Sequence, residues 1–273
     1  MKKFLAVAAL AALIPVSALA QAAGQQHDAT KKNDATNWTG FYAGLNTGGT
    51  LGSSNAQTGT SGGDYFQSAS VTQINYAGNQ NLTPKGYAGG LQFGYNRQIG
   101  HKWVLGLEAD FGVLAASNTE SATTVYSCCS PYTFTMTQKV STDWMGTGRA
   151  RVGHTVAKRG LLFVSGGAAE TQLHYSSLFA DNWTDIAGYT AYLVNESASA
   201  SALKTGWIVG GGGEYALNKR WSARAEYLFA DFGTVSRSNA NLTDASGNTY
   251  TDPFTHTATL TSSVARAAVN YRF

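Results

Sequence analysis

The chain has 273 residues, of which 31 are Gly, four Pro and two Cys, and only 13% are charged. Its formal net charge of +3 includes Lys2 and Lys3; without them the remainder is +1 (+3 − 2), too weak a field to recruit nucleic acid or an acidic partner. High Gly with scattered aromatics and little charge excludes a helical bundle and points to β structure.

Residues 1–20 read as a secretory signal peptide. Lys2 and Lys3 precede an apolar run from Phe4 to Ile14, and Ala18-Leu19-Ala20 is a small-x-small cleavage site. That run is too short to span a membrane as a helix, and no later stretch reaches the roughly 18 apolar residues required. Residues 21–37 form a polar periplasmic tail. From 38 to 273 the chain alternates apolar or small residues with polar ones over segments of about ten residues, the length of a tilted membrane strand.

Eight such segments follow in order: 38–50, 86–98, 102–115, 142–154, 161–175, 205–217, 221–232 and 261–273. The third sends Trp103, Leu105, Leu107, Ala109, Phe111 and Val113 one way, and Glu108 and Asp110 the other. The fourth puts Arg149 and Arg151 on its inner face. The fifth is apolar on both faces at its start, and Glu170 and Gln172 set its even positions inward. Glu214, Arg224, Glu226 and Arg266 complete the inward charges from the last three strands. In the eighth, Val269, Tyr271 and Phe273 share the outer face and the chain stops on the aromatic. Such strands need a second sheet in water, whereas in a membrane barrel lipid covers the apolar face. The fold class is therefore all-β, a closed eight-stranded antiparallel up-and-down barrel.

Three connections are short, at His101-Lys102, Lys158-Arg159-Gly160 and Asn218-Lys219-Arg220. Four are long and rich in Ser, Thr, Asn and Gly, near 51–85, 116–141, 176–204 and 233–259. Short periplasmic turns and long extracellular loops are the outer-membrane pattern. Aromatics gather in two girdles: Trp38, Trp103, Trp221, Tyr95, Tyr215, Tyr271 and Phe273 at the short-turn end, and Tyr87, Trp144, Trp207 and Phe232 at the other. The four long segments also carry rings, among them Tyr65, Phe66, Tyr126, Tyr132, Phe134, Phe179, Trp183, Tyr189, Tyr192, Tyr250 and Phe254. These either pack together above the membrane or offer contacts to an extracellular ligand or host surface.

The inward charges Glu108, Asp110, Arg149, Arg151, Glu170, Glu214, Arg224, Glu226 and Arg266 predict a lumen ion-pair network, because an eight-stranded bore is filled by side chains and an unpartnered buried charge is costly. A narrow ion pathway through them is the competing reading. Cys128 and Cys129 are adjacent and can pair only with each other, remain free, or bridge another molecule. His174-Tyr175-Ser176 has the spacing of a base and nucleophile on one strand face. The inward phase taken from Glu170 turns His174 toward the lumen, away from lipid, so no catalytic residue is assigned. Neither cofactor nor metal ligands are assigned.

The motifs WTGFYAGLNTGG (38–49), RARVG (149–153), GWIVGGGGEYAL (206–217), WSARAEYLFADFG (221–233) and SSVARAAVNYRF (262–273) resemble those of the small surface antigens and opacity-type proteins of alphaproteobacteria, a porin family of OmpA-like eight-stranded barrels. The resemblance covers the eight strands and none of the loops. It implies location in the cell outer membrane, contact with outer-membrane lipid and lipopolysaccharide, and a terminal signal at Val269, Tyr271 and Phe273 read by the barrel-assembly machinery. It also implies two alternatives: a narrow channel or small-ligand barrel, with haem among the ligands and His174, His256 or a loop Tyr as conceivable contacts, and, more remotely, a lipid A modifying enzyme like the His-x-Ser deacylases. The reading carried forward is a non-enzymatic outer-membrane barrel that supports the envelope and presents surface loops.

Overall fold

A computed structural model describes residues 36–183, 193–239 and 241–273; the expected signal peptide at 1–20, most of the expected tail at 21–37, Tyr189 and Tyr192 lie outside these. The elements are β1 (Gly40–Thr60), α1 (Ser68–Ala77), β2 (Asn79–Leu82), β3 (Lys85–Ile99), β4 (Trp103–Val125), β5 (Thr133–Val156), β6 (Gly160–Asp181), β7 (Asn195–Ala216), β8 (Trp221–Asn239), β9 (Leu242–Thr243), β10 (Thr249–Tyr250) and β11 (Phe254–Arg272). Eight long strands pair antiparallel in the cyclic order β1-β3-β4-β5-β6-β7-β8-β11, and β11 returns to β1 from Tyr42↔Arg272 to Thr60↔Phe254. The ring leaves no membrane-facing edge, as a sheet in hydrocarbon requires.

The strands are longer than the alternation over ten residues suggested, because the four long connections are not loops for most of their length. β4 and β5 continue through 117–125 and 133–141, and β6 and β7 through 176–181 and 195–204, extending the barrel into a crown. Nine residues beyond Ala116 in β4 add roughly 30 Å along the strand.

The crown obeys the opposite polarity rule. Lower down, exposed outward residues are apolar, such as Leu45, Leu107, Phe111, Val164 and Val209, and inward ones are charged. Higher up, Thr119, Ser121, Thr137, Ser176, Ser199 and Ser201 face out, while Leu114, Val140, Leu173, Phe232 and Leu260 pack inside. The lower barrel is dressed for lipid and the crown for water. The change falls near Trp144 and Trp207.

Bulges accompany this boundary. Asp143 and Trp144 of β5 stand against a single residue of β6, so inward positions are odd from Met145 to Arg151 but even from Thr142 to Phe134. Thr142 Oγ1 donates to the Leu114 carbonyl (2.7 Å) and Thr171 Oγ1 to that of Trp144 (2.6 Å), satisfying backbone at the irregularity. On β8, Gly233 takes the positive φ of 69° that lets a second bulge form against β11.

Two ring positions differ from the girdle pattern. Trp38 is buried with Val104, Leu161 and Ala216, closing the short-turn end from inside under the Arg272 guanidinium (4.9 Å). Phe232 is buried inside the crown because it lies past the boundary, where apolar means inward. Helix α1 was not anticipated; Val71, Ile74 and Ala77, spaced by three, lay one face on the crown tip.

Candidate functional site

The lower lumen holds an ion-paired set of four carboxylates and four guanidiniums, all buried: Glu108, Asp110, Glu214 and Glu226 with Arg149, Arg151, Arg224 and Arg266; Arg272, also buried, stands apart from the set over Trp38. Glu108 is the hub, paired with Arg149, Arg151 and Arg224 and accepting the Tyr42 hydroxyl. Arg151 reaches Glu214 (2.9 Å), and Arg266 joins Asp110 (2.9 Å) to Glu226 (2.6 Å). Asp110 also pairs with Arg149 (2.7 Å), and Glu226 with Arg224 (2.7 Å). The Phe163 ring lies between the Arg151 and Arg224 guanidiniums at 4.3 and 4.4 Å.

Long side chains fit because neighbouring inward positions have none. A Cβ on Gly106 would come within 2.9 Å of Arg151 Cγ, and one on Gly212 within 2.8 Å of Glu226 Cβ. An amide chain continues the plug, with Asn46 donating to Gln92 (3.1 Å), Gln92 to Asn270 (2.7 Å) and Asn270 to Glu214 (3.1 Å).

Glu170 is not among them. In β6 the odd positions point inward, from Leu161 through Ala169 and Thr171 to Phe179, so Glu170 and Gln172 face out, Glu170 accepting from Thr205 (3.2 Å). The inward expectation fails because it assumes that polar means inside, which holds only below the boundary. His174 therefore also lies outside. Its Nε2 meets Asp143 Oδ2 (2.8 Å) and its Nδ1 meets Ser201 Oγ (3.0 Å), a chain across three strands just above the lipid level. Ser176 shares that outer face without being its hydrogen-bond partner.

Above the apolar crown core lies a second polar layer. Thr58 Oγ1 is within 3.0 Å of the Tyr175 hydroxyl, Ser177 and His256 Nδ1, and His256 Nε2 meets Glu196 (3.2 Å). Both imidazole nitrogens are thus engaged in a fully buried site, which removes His256 as an available ligand for haem. The tip is aromatic: Phe66, Tyr126, Phe134, Phe179 and Phe254 are buried together. So of the two expectations for the loop rings, packing together holds for these five; the order of apolar, polar and aromatic layers is what the sequence reading did not reach. Cys128 and Cys129, in the turn between β4 and β5, are bonded to each other.

Asp181 ends β6 within the tip. It accepts Tyr65 (3.0 Å) and Tyr126 (3.2 Å) hydroxyls and the Val194 N–H (3.1 Å). Burial pushes its pKa up to about 6, these donors and the Trp183 backbone N–H offsetting only part of that rise.

The model of the outer membrane protein beta-barrel domain matches residues 6–273. The chain is 28% identical over 251 residues to the 31 kDa outer-membrane immunogenic protein of Brucella melitensis biotype 1, covering 88% of this chain and 85% of that protein; the Brucella suis biovar 1 protein of that name matches equally. Among solved structures, OprG of Pseudomonas aeruginosa is 10% identical with a TM-score of 0.43, over 88% of this chain and 98% of its own. Ail of Yersinia pestis, in complex with the heparin analogue sucrose octasulfate, is 12% identical with a TM-score of 0.32, over 84% and 99%.

Glu108→Ala takes one partner from three guanidiniums and leaves four of them to three carboxylates in the lumen, which should lower stability by about 3–5 kcal/mol, the range for breaking a buried pair. Urea unfolding of the refolded barrel in lipid checks this, and an unchanged midpoint contradicts the network's importance. For Asp181 the folded pKa lies above the unfolded one, so its contribution is full below about pH 4 and fades as pH rises through about 6. The stability difference between wild type and Asp181→Asn should therefore change across that window, with the wild type losing ground as pH rises; a constant difference contradicts the assignment.

Proposed function

The chain belongs to the outer membrane protein beta-barrel family and is an outer-membrane surface protein, and from that premise we propose that it is a non-conducting, non-enzymatic scaffold that carries a rigid crown to the cell exterior. The observation that carries this reading is the filled interior. From Trp38 through the ion pairs, the amide chain, the apolar core and the Thr58 layer to the aromatic tip, side chains occupy the bore at every level. In the ion-paired set of the lower lumen four acids meet four arginines, which suits a plug, whereas a selective pore presents rings of one sign to water. The Ser and Thr of the crown's outer wall offer hydroxyls at the level of lipopolysaccharide sugars, and the aromatic tip is the part offered to an extracellular ligand or host surface.

The Asp143–His174–Ser201 chain has the order of a hydrolase triad and faces the right way for a lipid substrate. Its side chains argue otherwise: Asp143 is 67% and His174 39% exposed, so the carboxylate lacks the burial that orients a catalytic imidazole. Val269, Tyr271 and Phe273 would serve as the signal read by the barrel-assembly machinery. Tyr271 stacks edge-on with Trp221 (5.1 Å) and Phe273 (5.2 Å), and Phe273 stays exposed. The signal peptide at 1–20, the tail at 21–37 and the barrel from 38 complete the proposed organisation.

Refolded protein in planar bilayers should give no stable conductance steps and should leave lipid A chemically unchanged by mass spectrometry. Reproducible steps would establish the channel. An acyl mass lost with the wild type but not with Ser201→Ala or Ser176→Ala would establish the enzyme. Deleting Phe273 should lower the amount of heat-modifiable barrel in outer-membrane fractions while leaving export intact; normal amounts would remove the terminal signal.

A further inference from the structure

The crown tip contains a half-enclosed cavity of about 250 Å³ whose walls include Tyr65, Tyr126, Trp183 and Tyr250. Two ring pairs form it: Tyr65 with Tyr250 (5.0 Å, 59° between planes) and Tyr126 with Trp183 (5.8 Å, 63°). Phe66 meets Tyr65 edge-on at 4.9 Å.

Among the described residues, the charged side chains that bond to these rings and their backbone are carboxylates. Tyr65 and Tyr126 both donate their hydroxyls to Asp181, and Tyr250 donates to Asp244 (3.1 Å). Asp252 fixes the Tyr65 and Phe66 backbone N–H groups at 2.9 and 3.1 Å. Asp64 stands at the rim, accepting from a neutral donor, Thr251 Oγ1, at 2.6 Å. Among the described residues lining the cavity there is no Lys, Arg or His. This contrasts with the lower lumen, where every carboxylate has a guanidinium.

We propose that this cavity binds a small organic cation, an alkylated ammonium of the trimethylammonium kind, through the ring faces and the Asp64 carboxylate. Ring faces attract cations, and phenols whose hydroxyls donate to carboxylates are richer in electron density than free ones. A bulky ammonium also fits an aromatic box better than a metal ion, because the walls offer rings where a hard cation needs oxygens. An anion would meet the Asp64 carboxylate and, among the described residues lining the cavity, no side chain of positive charge. The inference goes beyond the scaffold reading and does not depend on whether the lumen conducts.

The test uses the full mature chain refolded in a detergent without a choline headgroup, with choline chloride as probe. Its uncharged isostere 3,3-dimethylbutan-1-ol and sodium chloride are the controls. Saturation-transfer NMR on the methyl groups reads binding, and heat-modifiable mobility verifies that each variant is folded. Choline should bind saturably, and the alcohol at least about tenfold more weakly. Trp183→Ala should weaken choline about tenfold, and the rim variant Asp64→Asn several-fold. Absence of saturable choline binding, equal binding of the alcohol, or unchanged affinity in both folded variants would overturn the proposal.

Discussion

A closed ladder of backbone hydrogen bonds is what permits one sheet to stand in two solvents. Between β1 and β11 the ladder runs from Tyr42↔Arg272 to Thr60↔Phe254, whereas β3–β4 pairing stops at Lys85↔Ser117 and β7–β8 pairing at Trp207↔Asp231, so the ring is closed at the membrane level and open along two seams of the crown. Where lipid surrounds the ring no edge needs covering, and only side-chain faces must match their surroundings. They do so by inversion. Below Trp144 and Trp207 the outside is apolar and the inside ionic; above them the outside is hydroxylated and the inside apolar or aromatic.

The bulges at Asp143-Trp144 and Gly233 sit where this inversion occurs, and on β5 the odd-to-even change of inward positions follows from it directly. β4 and β11 keep one parity throughout and change solvent by changing residue type instead: inward Glu108 and Asp110 give way to Leu114, and inward Arg266 to Val264 and Leu260. Each half of the barrel then has its own adhesive. Ion pairs in the lower half are tolerable because the set is neutral and mutually bonded, while burial of Leu, Val and Phe side chains holds the crown together as it would a soluble barrel.

The lower barrel was legible in the sequence because the outward set of 102–115 and the inward arginines of 142–154 obey a single rule along a strand. The crown was less legible. Segments such as 133–141 alternate just as regularly, Phe134, Met136, Gln138 and Val140 against Thr135, Thr137 and Lys139, but with polarity reversed. Taking the polar residues Glu170 and Gln172 as inward misplaced Glu170 and His174, and taking the strand-end aromatics as girdle misplaced Trp38 and Phe232. These four share a cause: each lies outside the hydrocarbon band in which the rule applies. The Asp181 cluster and the aromatic cavity could not be found from spacing, since they join residues from 64 to 252 through strand pairing alone.

That the crown is a folded continuation of the barrel is tested most directly by amide hydrogen exchange in lipid bilayers. The account predicts slow exchange for 134–142 and 173–181, which are paired on both sides, and for the alternate amides of 117–125 and 196–203 that bond to β5 and β6, comparable with the strands inside the membrane. Exchange of those amides at the rate of unstructured loops, with protection stopping near Ala116 and Trp144, would contradict it.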